Sequence, residues 1–186
     1  MLSFCREIPD KAPPKKSAPQ EAALFERLTF ESPLGPLLAV SGRGRITALR
    51  FEGWKGFPEE VSRIPERRDE PILKALGKWL ESYFAGEFLP PPEISPLATR
   101  WENDVYRETQ KIAPGETKSY GDISLALTGS KDSSRAVASA LSRNMAAIMI
   151  PCHRVLNAKG GLHGYAGGLE RKKFLLRLEG ASFRED

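Results

Sequence analysis

Hydrophobic positions change their period part-way along this chain of 186 residues. From about Leu24 the pattern is strand-like, with Phe25, Leu28 and Phe30 apolar, and Pro33-Leu34-Gly35-Pro36 then supplies a turn. The run Leu37 to Val40 follows, and Gly42-Arg43-Gly44 makes a second turn before Ile46, Leu49 and Phe51. Three short apolar segments joined by glycine turns predict an antiparallel meander. Pro58 to Asp69 is charged and irregular. The period then lengthens: Ile72, Leu73, Leu76, Trp79, Leu80, Tyr83 and Phe84 recur every three or four positions, with Pro71 near the start and Gly86 past the end. That spacing predicts a helix whose apolar stripe is core, Trp79 and Tyr83 included, with no chemistry assigned to it. Pro90-Pro91-Pro92 breaks the chain, which places a domain boundary near residue 94.

The second half reads as mostly helical. Trp101, Val105, Thr109 and Ile112 share one face of a helix that Pro114-Gly115 ends. A short helix is predicted over Asp122–Leu127, a turn over Thr128–Lys131, and a further helix from about Ser133 to Arg143. Two short helices joined by a glycine-containing turn outline a helix-turn-helix. The second is rich in small residues (Ser134, Ala136, Ala138, Ser139, Ala140), with Arg135 at its leading end. A glycine-rich loop, Gly160 to Gly168, precedes a closing helix that carries Phe174, Leu175 and Leu178 and ends at Glu179-Gly180. The predicted fold class is α+β: a proline- and lysine-rich flexible tail over 1–20, a small antiparallel-sheet-plus-helix domain over 21–93, and a mostly helical, winged-helix-like domain over 94–186.

Composition adds little to this outline: 40% hydrophobic and 28% charged residues describe an ordinary globular chain. No apolar run is long enough to span a membrane. The opening Met1-Leu2-Ser3-Phe4-Cys5-Arg6-Glu7 lacks an apolar signal core, so an intracellular protein is expected, cytoplasmic in a prokaryote. Two cysteines, Cys5 and Cys152, are too few for a disulfide framework. With His153 and His163 the only histidines and no CxxC pair, no metal site is expected. Residues 1–94 hold 14 Lys/Arg against 14 Asp/Glu, and residues 95–186 hold 14 against 10, so the whole +4 excess sits in the second half. A basic half suggests a polyanionic partner, although Arg171-Lys172-Lys173 also fits a solvated helix face.

The candidate chemistry lies in Ile148-Met149-Ile150-Pro151-Cys152-His153-Arg154-Val155. Proline fixes its own φ and biases the residue before it towards extended geometry, so Cys152 is rigidly presented. A thiol beside cationic groups has the surroundings that favour thiolate. A buried structural cysteine at the end of a core strand fits the same residues. The glycine-rich loop matches neither a P-loop nor a dinucleotide fingerprint; its glycines suit close approach of backbone to a flat ligand.

Several pieces together resemble the O6-alkylguanine-DNA alkyltransferases, the methylated-DNA–protein-cysteine methyltransferases. They are Ser119-Tyr120-Gly121-Asp122-Ile123, Arg135-Ala136-Val137, Asn144, Pro151-Cys152-His153-Arg154-Val155, Gly164-Tyr165-Ala166-Gly167-Gly168 and Leu175-Leu176 with Glu179-Gly180, in the family's order across roughly residues 94–180. The resemblance implies direct-reversal repair of double-stranded DNA containing O6-alkylguanine, with O4-alkylthymine as a further candidate, by one irreversible transfer of the alkyl group to Cys152. It implies His153 as a base acting through a water, Glu179 orienting it, Tyr120 donating to the guanine ring, and Asn144 tying the second helix to the cysteine loop. It further implies that Arg135 fills the stack vacated by a flipped base, and that Ala136 and Ala138 allow minor-groove approach. Gly121 and Arg154 join the DNA-binding set, and Tyr165, Ala166 and Gly167 wall the guanine pocket. No cofactor is implied, and a monomer is expected.

The sequence departs from the family pattern at Ala138, where a glycine is common, and at Met145, where a proline is common. The zinc site of some members lacks its ligands in this N-terminal half. Two other readings compete. Alkyltransferase-like proteins bind the lesion without a cysteine, which Cys152 argues against. A transcription factor needs a major-groove helix with base-reading side chains, which the small-residue helix does not offer.

Overall fold

A computed structural model describes residues 25–54 and 59–185. The expected tail over 1–20, together with Cys5, lies outside those residues. Strands β1 (Phe25–Phe30), β2 (Leu37–Gly42) and β3 (Arg45–Phe51) form the antiparallel meander in the order β1-β2-β3. The β2–β3 hairpin turns on Arg43 and Gly44, both at positive φ (53° and 72°), the two-residue geometry that follows the twist of the strands. Helix α1 (Pro71–Phe84) buries Leu73, Leu76, Trp79, Leu80 and Tyr83, the stripe expected from spacing. Each large side chain so buried contributes roughly 1.5–3 kcal/mol. The helix lies close on the sheet at Gly77, where a Cβ would come within 2.9 Å of the Phe30 ring.

The second half carries α2 (Arg100–Gln110), β4 (Lys118–Ser119), α3 (Tyr120–Thr128), α4 (Ser134–Ser142), β5 (Val155–Leu156) and α5 (Leu169–Leu178). Helix α3 starts two residues earlier than its apolar positions suggest. Ser119 and Asp122 form a reciprocal capping box, which satisfies the first free amides and draws Tyr120 into the helix. Thr99 and Glu102 cap α2 the same way, and Gly129 ends α3 in the left-handed conformation (φ 74°). The two-residue strands β4 and β5 pair in parallel and join the entry of α3 to the segment after Cys152. The fold class is α+β, as the sequence predicts.

The outer edge of β3 positions the segment that leads to Cys152. Leu49 N donates to Met145 O (2.8 Å), and Ala147 N donates to Leu49 O (2.8 Å). Ile46 exchanges bonds with Glu93 and Ser95 in the same fashion (3.0 and 2.8 Å). The edge is thereby covered, and the loop ahead of the cysteine gains a rigid brace. One hydrophobic cluster runs from Leu37 in β2, through α1 and α2, to Cys152 and Leu175.

Candidate active site

The segment between α4 and Pro151 is neither strand nor helix, although it is almost wholly apolar. Asn144, fully buried, organises it. Its Oδ1 accepts from Ala146 N (2.8 Å), and its Nδ2 donates to Ile150 O (3.0 Å) and to Cys152 Sγ (3.2 Å). Ile150 N returns to Ala146 O (2.9 Å), which closes a tight loop. Inside that loop Ile148 sits at φ 68°, a conformation that costs a β-branched residue about 1–3 kcal/mol and persists because packing and hydrogen bonds over-determine it. Pro151 (φ −80°, ψ 58°) then makes an inverse γ-turn, in which Cys152 N donates to Ile150 O (2.8 Å). Cys152, His153 and Arg154 follow as a single 3-10 turn, so three consecutive side chains fan out in different directions.

His153 and Arg154 turn inward to Glu179. Arg154 forks onto the carboxylate, Nε to Oε2 and Nη2 to Oε1, both at 2.8 Å, and its Nη1 donates to Ile112 O. His153 Nε2 bonds Oε1 at 2.9 Å, and the Tyr83 hydroxyl donates to the same oxygen. Burial pushes the Glu179 carboxyl up, but the bonds from His153 and Arg154 outweigh it and hold the group at about 2. An ionised carboxylate can only accept, so the proton in the His153–Glu179 bond belongs to Nε2. Burial lowers the basicity of His153, which is therefore neutral, and Nδ1 carries its lone pair. That Nδ1 is buried and meets no hydrogen-bonding partner among the described residues.

Cys152 is 8% exposed and lines a pocket of about 380 Å³. Tyr120, Ala138, Leu141, Tyr165 and Ala166 line that pocket with it. Burial pushes the thiol up, opposed by the Asn144 amide and the charge of Lys172, so the resting sulfur is protonated. The Tyr120 hydroxyl donates to His163 O (3.3 Å); burial, with Cys152 nearby, pushes the phenol up to about 12 and keeps it a donor. Gly167 sits behind the Tyr165 ring, where a Cβ would come within 2.7 Å of that ring, so the close approach requires glycine. Tyr165 leans on Trp54 with ring centroids 5.9 Å apart.

The structure thus gathers Cys152, Tyr120, Ala138, Tyr165 and Ala166 at one pocket, with His153, Asn144 and Glu179 behind the thiol. Arg135 and Ala136 are exposed at the start of α4, whose next turns supply Ala138 and Leu141 to the pocket wall. The Arg135 side chain makes no hydrogen bond or ion pair among the described residues. Gly121 stands apart from the pocket, in the first turn of α3 against Lys131. Arg154 departs most from expectation: placed with the DNA-binding residues by its motif, it is 7% exposed and spent on Glu179 and Ile112. Among the described residues no three His, Cys, Asp or Glu side chains gather as a metal site.

Comparison with known proteins bears on this arrangement. Residues 24–90 match the family described as 6-O-methylguanine DNA methyltransferase, ribonuclease-like domain, and residues 100–181 match its DNA binding domain. A methylated-DNA–protein-cysteine methyltransferase of Methanosarcina acetivorans is 38% identical over 155 residues, covering 82% of this chain and 96% of the relative. The chain belongs to this family. The constitutive Bacillus subtilis enzyme of the same name is 39% identical over 163 residues, with 84% and 96% covered. Among solved structures, the Mycobacterium tuberculosis O6-methylguanine methyltransferase superposes with a TM-score of 0.76 at 33% identity, covering 84% of this chain and 93% of that one. The M. tuberculosis protein in complex with DNA gives 0.74 at 35% identity, with 83% and 92% covered.

Two site residues carry no signal of their role in the sequence. Tyr83 reads as an ordinary member of the α1 stripe, and only the fold reveals Glu179 at its hydroxyl. Lys172 reads as part of a solvated basic run, yet it is fully buried, donating to Val155 O (2.7 Å) and His163 O (3.2 Å). Burial lowers it to about 8. A clue lay in the helical spacing, since Lys172 shares a face of α5 with Leu175 and Leu176.

Proposed function

We propose that this protein repairs O6-alkylated guanine in DNA by direct reversal, moving the alkyl group to Cys152 in a single irreversible step. The observation that carries the reading is the placement of Cys152 Sγ in a base-sized pocket beside α4, backed by a neutral histidine whose tautomer a buried carboxylate holds. The thiol proton passes through a water to His153 Nδ1, and Glu179 stabilises the imidazolium that results. The thiolate attacks the alkyl carbon, an S–C bond forms, the C–O6 bond breaks, and its electron pair returns to guanine. Tyr120 donates to the ring and stabilises the charge that builds there. The product thioether meets no group that can cleave it, so each protein reacts once.

Access requires the base to leave the duplex. Arg135, exposed and unengaged at the head of α4, fills the gap. Ala136 and Ala138 let α4 lie close in the minor groove. Residues 94–186 carry the transfer site, and residues 21–93 brace it through β3 and α1. A monomer is the working unit of this reading, and a DNA substrate supports an intracellular place. No helix among the described residues is long and apolar enough to cross a membrane. A lesion-binding protein without transfer is the lesser reading, because the sulfur is present and equipped with a base.

The test is nucleoside analysis of an O6-methylguanine duplex after incubation. The lesion should be replaced by guanine, with repair reaching a plateau at one lesion per protein. A lesion that persists through complete binding would support the lesion binder, and repair far beyond one per protein would contradict a self-sacrificing transfer.

A further inference from the structure

Tyr83 stands 96 residues before Glu179, on the helix that packs against the meander, yet its hydroxyl reaches the carboxylate behind the reactive thiol. The hydrogen bonds on Glu179 are unevenly shared. Oε1 accepts from Tyr83, from His153 Nε2 (2.9 Å) and from Arg154 Nη2 (2.8 Å), whereas Oε2 accepts from Arg154 Nε (2.8 Å). The oxygen that must hold a protonated His153 is therefore the one most heavily drained of charge.

We propose that Tyr83 is a positioning residue for alkyl transfer, whose hydroxyl bond to Glu179 Oε1 limits how strongly that carboxylate holds a proton on His153. The inference rests on the reading of His153 as the base for Cys152. Packing alone does not call for a hydroxyl here. Tyr83 is 1% exposed among Trp79, Phe84 and Phe88, with ring centroids 5.5 Å away in each case. A phenylalanine fills that space without burying an O–H. The aromatic neighbours instead fix the ring so that its hydroxyl points at one oxygen, and burial beside Glu179 keeps the phenol protonated and a donor.

The imidazolium forms only because Glu179 stabilises it, and every other donor on Oε1 weakens that support. With the hydroxyl gone, Oε1 keeps two donors and more charge for His153, and the imidazole becomes the stronger base. A stronger base is occupied by a proton at higher pH, where it can no longer take one from Cys152. The other titratable groups facing this pair stay in place: Arg154 and Lys172, whose charges oppose the imidazolium, with Cys152 and Tyr165. Tyr83→Phe therefore isolates the hydroxyl.

The experiment is a pH profile of single-turnover methyl transfer from an O6-methylguanine duplex, paired with an NMR titration of the His153 imidazole in the free protein. In Tyr83→Phe the acid limb should move up by roughly one pH unit, a tenfold slower transfer below the limb with the plateau above it unchanged. The imidazole titration should move the same way. Trp79→Phe, which alters the packing around Tyr83 but leaves its hydroxyl, should keep both limb and titration where wild-type protein has them. An unmoved limb with an unmoved titration overturns the inference, and so does an equal movement in Trp79→Phe. A Tyr83→Phe protein that does not fold also overturns it, because the hydroxyl would then be a structural requirement. Absence of transfer in wild-type protein would strike the proposed function instead, and the NMR titration would still decide the coupling of Tyr83 to His153.

Discussion

The amide of Asn144 donates to the sulfur of Cys152 across 3.2 Å, and the same NH2 group donates to Ile150 O at 3.0 Å. One buried side chain therefore holds both the shape of the cysteine loop and the electronic state of its thiol. It sits directly after α4, so the helix flanking the pocket and the reactive sulfur are joined through a single residue.

Replacing Asn144 by alanine should show both effects. The Ala146 amide and the Ile150 carbonyl lose their partner in a dry interior, and a buried polar group left alone costs about 1–3 kcal/mol. Urea unfolding should register a loss on the order of 3 kcal/mol. Thiol titration of the folded fraction should show Cys152 pushed further up, since a bond that favours its anion is gone. Stability unchanged within error would contradict the role assigned to Asn144.

Glu179 makes the fold sensitive to acid. Its carboxyl moves from an ordinary value of 4.5 in the open chain to about 2 in the folded protein. A depressed folded value contributes stability that is fully present above the unfolded value and is lost as pH falls from about 4.5 through about 2. The contribution is on the order of 3 kcal/mol at neutral pH. Glu179→Gln should therefore flatten the acid side of the stability curve while lowering stability at neutral pH, where Arg154 is left as a buried unpaired cation. Chemical denaturation at a series of pH values measures both. Parallel curves for the two proteins would contradict the assignment.

The sequence showed the scaffold and the reactive turn, and it missed what lay between them. Period-2 and period-3.6 patterns are local, so the meander, α1 and the helix pair were legible from residues such as Ile46, Leu76 and Val137. The start of α3 is not legible in the apolar pattern because capping by Ser119 and Asp122 is a hydrogen-bond signal. Cys152 stands out from its own surroundings, with a buried structural cysteine as the alternative, whereas His153, Asn144 and Glu179 are legible only because their motif pieces match a family together; taken singly, Glu179 is an unremarkable carboxylate at a helix end. The direction of Arg154 could not be read, since adjacent residues in a 3-10 turn point different ways and only the fold places Glu179 and Ile112 beside its guanidinium. Tyr83 and Lys172 were lost for a related reason: their partners lie far along the chain, and nothing in a stripe of apolar residues marks the member whose polar end is engaged.

Arg135, proposed to fill the stack left by a flipped base, offers a way to separate delivery of the base from the chemistry on it. Its side chain is exposed and remote from Cys152's supporting bonds, so Arg135→Ala should leave stability within about 0.5 kcal/mol of wild type. Transfer from a duplex should slow by one or more orders of magnitude, because unstacking costs a few kcal/mol and the gap is left unfilled. Transfer from free O6-alkylguanine base should change little. Equal losses on duplex and free base would reject the gap-filling role.

If Cys152 itself is the alkyl acceptor, intact-protein mass spectrometry followed by peptide mapping will read the transfer on that residue. After incubation with an O6-methylguanine duplex, wild-type protein should gain the mass of one methyl group, mapped to the peptide containing Cys152, and Cys152→Ala should gain none while still binding the DNA. Folded wild-type protein that binds the damaged duplex yet keeps Cys152 unmodified after prolonged exposure would rule out Cys152 as the acceptor.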